Sequence, residues 1–225
     1  MHSQIELSEK HRVKSLLQSD LKWKTQTYYL QRLNCIKAGF LGMKYYLLLG
    51  KFEKGEGSFS EQEPQQLDSY TAQFKLLTHK PVLTVDEAYE ERGMSDFLKI
   101  ALGYLVSSKV QEVFEMNGFK GIQFIPVEVH NEGVESSFSF MNYVASYDLL
   151  EPNTSKAKRF KSIYGGYGRV SDVLIDKSKF LEAEIKHDCF TLSNYKLACF
   201  ISENVKSALE AKGVTGIEFV PMEFA

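Results

Sequence analysis

Apolar positions along the chain fall into short continuous runs and into stretches of helical spacing. Met43-Lys44-Tyr45-Tyr46-Leu47-Leu48-Leu49 reads as a first strand and Pro81-Val82-Leu83-Thr84-Val85 as a shorter one. Residues 138–150 and 170–175 contain further strand-like runs, and Phe74, Leu76 and Leu77 suggest another. Val110, Val113 and Phe114 recur instead at helical spacing, as do Val205, Ala208 and Leu209. The stretch 86–92 opens on acids, as the first turn of a helix prefers. Residues 178–183 read as a helical turn, and Val13, Leu16, Leu17 and Leu21 as a short amphipathic helix. Strands outnumber helices, so the expected class is α+β: a twisted, mostly antiparallel sheet with a few short helices.

Two of these stretches repeat each other. Residues 104–129 (YLVSSKVQEVFEMNGFKGIQFIPVEV) and 199–224 (CFISENVKSALEAKGVTGIEFVPMEF) align at an offset of 95, with nine of 26 positions identical. In each, an apolar run leads to a serine suited to cap a helix, Ser107 or Ser202. Gly118 and Gly213 stand where a helix ends in a left-handed turn. Gly-Ile-x-Phe then starts a strand that Pro126 or Pro221 demotes to an edge or stops pairing. Each unit is therefore expected to be strand, capped helix, turn, strand. The polar connection at 151–161 divides the chain into a first half, 43–150, and a second half, 151–225, each holding one unit. Residues 1–42 differ in pattern and read as an N-terminal arm, with Met43 as a candidate start and a genuine helical extension as the alternative.

Composition changes this picture little. With 225 residues, 44% of them hydrophobic and 25% charged, the chain can bury an ordinary core. The net charge of −2 gives no broad nucleic-acid or membrane partner. The charge is uneven, since seven Lys/Arg and three acids in 1–42 leave an acidic body suited to a basic partner. Three cysteines without zinc-type spacing and no export signal fit a reduced cytoplasmic chain. The five histidines form no HxxxH pair, so no metal site is expected, and no cofactor motif occurs.

Three constellations bear on chemistry. His187-Asp188-Cys189 places a base, a carboxylate and a thiol together, and in a strand His187 and Cys189 would share a face. That leaves a cysteine-dependent hydrolase open beside an ordinary strand end. Tyr164-Gly165-Gly166-Tyr167-Gly168-Arg169 lacks the strand-to-helix context of a phosphate loop and reads as a tight bend, whose Tyr164 and Tyr167 suit an interface anchor. Asp86, Glu87, Tyr89, Glu90 and Glu91 form an acidic cluster, either a solvated helix face or a contact for a basic partner. A small-ligand module with its site between the two halves is a further alternative.

The closing pattern Ser-(x)2-Val-(x)7-Gly-(x)2-Gly-Ile-x-Phe-x-Pro resembles that of a bacterial immunity-protein family, immunity family eleven of the polymorphic-toxin systems. Met141-Asn142-Tyr143-Val144 followed by Tyr147-Asp148-Leu149-Leu150 resembles its central segment. His187-Asp188-Cys189-Phe190-Thr191-Leu192 resembles another, with Thr191 where an arginine is usual. The resemblance implies a non-enzymatic bacterial cytoplasmic protein, monomer or homodimer. It would bind a cognate toxin domain encoded by a neighbouring gene, and the surface expected to do so holds Asp86, Glu87, Tyr89, Glu90, Glu91, Tyr164 and Tyr167.

Overall fold

A computed structural model describes residues 44–51, 59–61, 67, 72–85, 94–100, 103–131, 134–159 and 166–225. Contacts divide the chain into Met1–Met43 and Lys44–Ala225, and every described residue belongs to the second unit. The sequence expectations for 13–21 and 86–92 fall outside the described residues.

The strands in chain order are β1 (Tyr45–Gly50), β2 (Phe59–Glu61), β3 (Val82–Val85), β4 (Phe97–Ile100), β5 (Gly103–Val106), β6 (Ile122–Asn131), β7 (Val134–Tyr143) and β8 (Ser146–Tyr147). They continue with β9 (Lys158–Arg159), β10 (Tyr167–Arg169), β11 (Leu174–Ile175), β12 (Cys189–Leu192), β13 (Tyr195–Ser202), β14 (Ile217–Pro221) and β15 (Glu223–Phe224). The described helices are α1 (Ser108–Asn117), α2 (Lys177–Glu182) and α3 (Glu203–Ala211). The described unit is thus mostly β-sheet with a few short helices. Pairing is antiparallel except between β3 and β6, β8 and β12, and β11 and β15.

Of the four described sheets, the first has the order β2-β3-β6-β7-β5-β4 and the second β14-β1-β13-β12-β8, while β9 pairs with β10 and β11 with β15 in two-stranded ribbons. In the first, β7 lies between β5 and β6, with Phe140 opposite both Leu105 and Ile125. In the second, β1 lies between β13 and β14, with Leu47 opposite both Phe200 and Val220. Strand β1 comes before the first repeat stretch in sequence, yet its hydrogen bonds are with the strands of the second.

Alternation along these strands sorts side chains to opposite faces. Tyr104, Val106, Met141 and Tyr143 join Leu48, Cys199 and Ile201, together with Val110, Val113 and Phe114 of α1 and Val205 and Leu209 of α3, in one buried core. The intervening residues Leu105, Phe140, Ile125, Val127 and Val129 build a second core with Leu67, Leu83, Leu98 and Ile100. Aromatic rings fill a third region, where Phe190 contacts Tyr45, Tyr147 and Phe200 at centroid distances of 5.1, 5.2 and 5.4 Å.

Two expectations need correction. Pro126 neither ends β6 nor puts it at an edge. Glu128 N–H donates to Pro81 C=O at 2.9 Å, so Pro126, two residues earlier, turns its nitrogen to the same side, before β3 begins to pair. The missing donor costs no ladder bond, and β6 runs on to Asn131. Pro221 does fall at the end of edge strand β14. The stretch holding Phe74, Leu76 and Leu77 is not a strand. Side-chain amides bind its backbone where a neighbouring strand would otherwise do so.

Candidate functional site

Of the residues expected at a partner surface, Tyr167 is described. Asp86, Glu87, Tyr89, Glu90, Glu91 and Tyr164 lie outside the described residues. Tyr167 stands on the short β9–β10 ribbon, half-buried, with the Arg159 guanidinium 5.5 Å from its ring centroid. Its N–H donates to Asn194 C=O at 2.7 Å. The preceding Gly166 has φ 80°, and a Cβ there would lie 2.6 Å from the same carbonyl oxygen. Asn194 in turn donates to Asp148 at 2.8 Å, so the ribbon is tied to the turn between β12 and β13.

The His187-Asp188-Cys189 stretch divides its three side chains among three structural tasks. Strand β12 starts only at Cys189, so the alternation argued for His187 does not reach it. His187 Nδ1 and the Tyr147 hydroxyl are hydrogen-bonded at 2.7 Å, and Lys186 N–H donates to that hydroxyl at 3.2 Å. Asp188 accepts from Lys120 N–H at 2.9 Å. Cys189 is wholly buried. Burial pushes its thiol well above the usual value, and the Asp188 charge and Cys199 add to the shift. Burial pushes the Cys199 thiol up to about 12. A nucleophilic cysteine needs the opposite environment, exposed and stabilising the thiolate. Among the described residues no group of three His, Cys, Asp or Glu side chains is placed to hold a metal ion. No helix among them is long and apolar enough to cross a membrane.

Large apolar side chains reach solvent elsewhere, among them Phe74, Leu76 and Met116. Phe74 is 65% exposed and Leu76 87% exposed, while Leu77 between β-sheet and solvent packs against the second core. Their segment is held by two amide side chains rising from the first sheet. Lys75 N–H donates to Gln123 Oε1 at 2.9 Å, and Gln123 Nε2 donates to Lys75 C=O at 2.6 Å. Asn142 Nδ2 donates to Gln73 C=O at 2.9 Å and to Gln123 Oε1 at 2.8 Å. Asn142 is itself wholly buried, a polar group kept in an apolar strand by these bonds. The apolar spacing suggests strand positions for Phe74 and Leu76, but both side chains face solvent. The signal available was Asn142, a lone amide in the run Phe140-Met141-Asn142-Tyr143.

Residues on both sides of the 151–161 connection share one core, which takes Phe97, Tyr104 and Tyr143 from before it and Cys199, Ile201 and Leu209 from after it. That packing gives no support to a small-ligand site between them.

A search among curated proteins finds no significant match. Residues 13–223 match the Immunity protein family (Imm11), a span that takes in both larger sheets and all three described helices. The serine, glycine and proline positions shared by 104–129 and 199–224, the amide at Asn142 and the buried strand Cys189–Leu192 all lie within it, and the chain belongs to this immunity protein family.

Proposed function

We propose that the protein neutralises a cognate bacterial toxin domain by binding it one to one, without turnover. The observation that carries this reading is the family match over residues 13–223. The burial of Cys189 and Cys199 supports it against a thiol hydrolase, since neither thiol is placed to ionise or to meet a substrate. The proposed contact surface centres on Phe74 and Leu76, a rigidly held apolar pair of the kind that anchors interfaces. It continues along the sequence into Asp86, Glu87, Tyr89, Glu90 and Glu91, and Tyr164 and Tyr167 are assigned to it as well. The acidic side chains suit a basic toxin, and association is then accelerated by charge and slowed by salt. The protein acts in the cytoplasm, as monomer or homodimer, on the product of a neighbouring gene. We also read 104–129 and 199–224 as repeated units of two related halves, 43–150 and 151–225. The equal registers of Leu105 and Ile125 about Phe140 and of Phe200 and Val220 about Leu47 support the repeat, with β1 lent by the first half to the second.

Co-expression with the neighbouring gene's product tests the reading. Growth rescue with one-to-one co-elution is expected, and Phe74→Asp combined with Leu76→Asp should weaken binding by about a hundredfold or more. Rescue without any stable complex would overturn stoichiometric inhibition in favour of an enzymatic mechanism. A tight complex indifferent to the double substitution would move the surface elsewhere.

A further inference from the structure

Two aspartates outside the repeated stretches occupy matching places. Asp96 immediately precedes β4 and Asp188 immediately precedes β12. Within its own half, each accepts two hydrogen bonds from the serine that opens the following helix. Ser107 N–H donates to Asp96 C=O at 2.8 Å and Ser202 N–H to Asp188 C=O at 2.7 Å. Ser107 Oγ donates to Asp96 Oδ1 at 2.8 Å and Ser202 Oγ to Asp188 Oδ1 at 3.4 Å.

The second carboxylate oxygen of each reaches into the other half. Thr215 N–H donates to Asp96 Oδ2 at 3.0 Å, and its hydroxyl donates there at 3.1 Å. Lys120 N–H donates to Asp188 Oδ2 at 2.9 Å. Lys120 and Thr215 hold the same position in their units, at the offset of 95. The next residue in each is a glycine with positive φ, Gly121 at 108° and Gly216 at 78°. A Cβ on Gly121 would lie 1.9 Å from the carbonyl oxygen of Cys189, the residue after Asp188. A Cβ on Gly216 would lie 2.3 Å from the carbonyl oxygen of Phe97, the residue after Asp96. The glycine carbonyls match too. Gly121 C=O accepts from Val144 N–H at 2.9 Å, just past β7, and Gly216 C=O from Lys51 N–H at 3.0 Å, just past β1.

The correspondence extends outward. Parallel β3 meets β6 at Val82–Glu128, and parallel β11 meets β15 at Leu174–Glu223. Glu128 and Glu223 again differ by the unit offset.

We infer that residues 44–225 are closed by a reciprocal clasp. Each half's aspartate holds the other half's glycine turn, and β1 fills in the second half the place that β7 fills in the first. The clasp is a conformational device: it joins two like halves into one rigid body, because neither turn is complete without a carboxylate from the opposite half. The inference rests on reading the two units as repeats. It is independent of toxin binding, so its failure would leave the co-elution result standing.

Native-state amide hydrogen exchange on the full chain tests it. Asp188→Ala should speed exchange at the Lys120 amide about tenfold or more and leave Thr215 protected. Asp96→Ala should do the converse, exposing Thr215 and sparing Lys120. If either alanine variant fails to fold, the milder Asp188→Asn and Asp96→Asn read the same two amides, with the same crossed pattern expected at smaller amplitude. Loss of protection confined to the half that carries the substitution, or spread evenly over both turns, would overturn the clasp.

Discussion

Residues 104–129 and 199–224 share their serine, valine and glycine positions, and the strand, helix and strand on each side of the turn are alike in order. Their surroundings are not alike. Ser202 Oγ caps α3 by accepting from Val205 N–H at 3.4 Å, whereas Ser107 makes no such bond to α1 and directs its hydroxyl to Asp96. Asp96 is also bonded by Lys109 Nζ at 2.9 Å, and the same ammonium reaches Gly213 C=O at 2.7 Å. The position equivalent to Lys109 in the second unit is Asn204, which cannot repeat the ion pair. Gln123 and Asn142 pin a covering segment, while Glu218 and Leu49, opposite each other on β14 and β1, are exposed. The same local signal fixes the same turn. What then holds the turn depends on which residues the rest of the chain delivers to it.

The four glycines break the comparison most sharply. Gly121→Ala and Gly216→Ala meet a carbonyl oxygen and an unfavourable φ together, and each should cost about 4 kcal/mol or more in urea unfolding. Gly118→Ala and Gly213→Ala meet nothing within 4 Å, so only the left-handed φ opposes them, at about 1 kcal/mol each. Equal losses at all four would mean that the close approach of Gly121 to Cys189 and of Gly216 to Phe97 contributes nothing.

Next in size are the aspartates. Asp96→Ala should cost about 3 kcal/mol and Asp188→Ala about half that, following their hydrogen-bond partners. Burial pushes the Asp96 carboxyl up, but hydrogen bonds from Lys109, Ser107 and Thr215 outweigh it and hold the group below the usual carboxylate value. Its contribution is therefore complete above the unfolded value, near about pH 4, and is lost as pH falls through the lower folded value. The stability gap between wild type and Asp96→Asn should accordingly close on acidification, and a gap that widened would reverse the assignment.

The serines sharpen the comparison at about 1 kcal/mol each. Ser202→Ala should cost the same in wild type and in Asp96→Asn, because it acts at the α3 cap. Ser107→Ala should lose most of its effect in the Asp96→Asn background. The smallest effect is a rate near zero: native Cys189 and Cys199 should resist alkylation at pH 8 and react only after unfolding, read peptide by peptide in a mass spectrometer.

Strands β1, β3, β5, β6, β7, β13 and β14, helices α1 and α3 and the left-handed turns at Gly118 and Gly213 were legible because each is set by neighbours in sequence, whereas the short strands β2, β9 and β10 fall in stretches that read as loop, connection and bend. Asp96 and Asp188 were not. They differ by 92 positions where the units differ by 95, since the link from Asp188 to Ser202 is longer than that from Asp96 to Ser107. A comparison at one offset passes over them. The pairing of β1 with β13 and β14 leaves no local trace either, because YYLLLG specifies a strand and not its neighbours. Pro126 misled because a proline's effect depends on which side its nitrogen faces. Phe74 and Leu76 misled because two side-chain amides stood in for a strand.

The place of β1 has a consequence for biosynthesis. It leaves the ribosome before every other described strand, and of the described strands only β15 is made after its partners β13 and β14. Strands β3 to β7 can pair with one another while synthesis continues. Tyr45 and Leu48, wholly enclosed in the finished protein, must wait uncovered until residues 217–221 emerge. The apolar YYLLLG segment is thus a hazard to the nascent chain, one that lasts until β13 and β14 have emerged to pair with it.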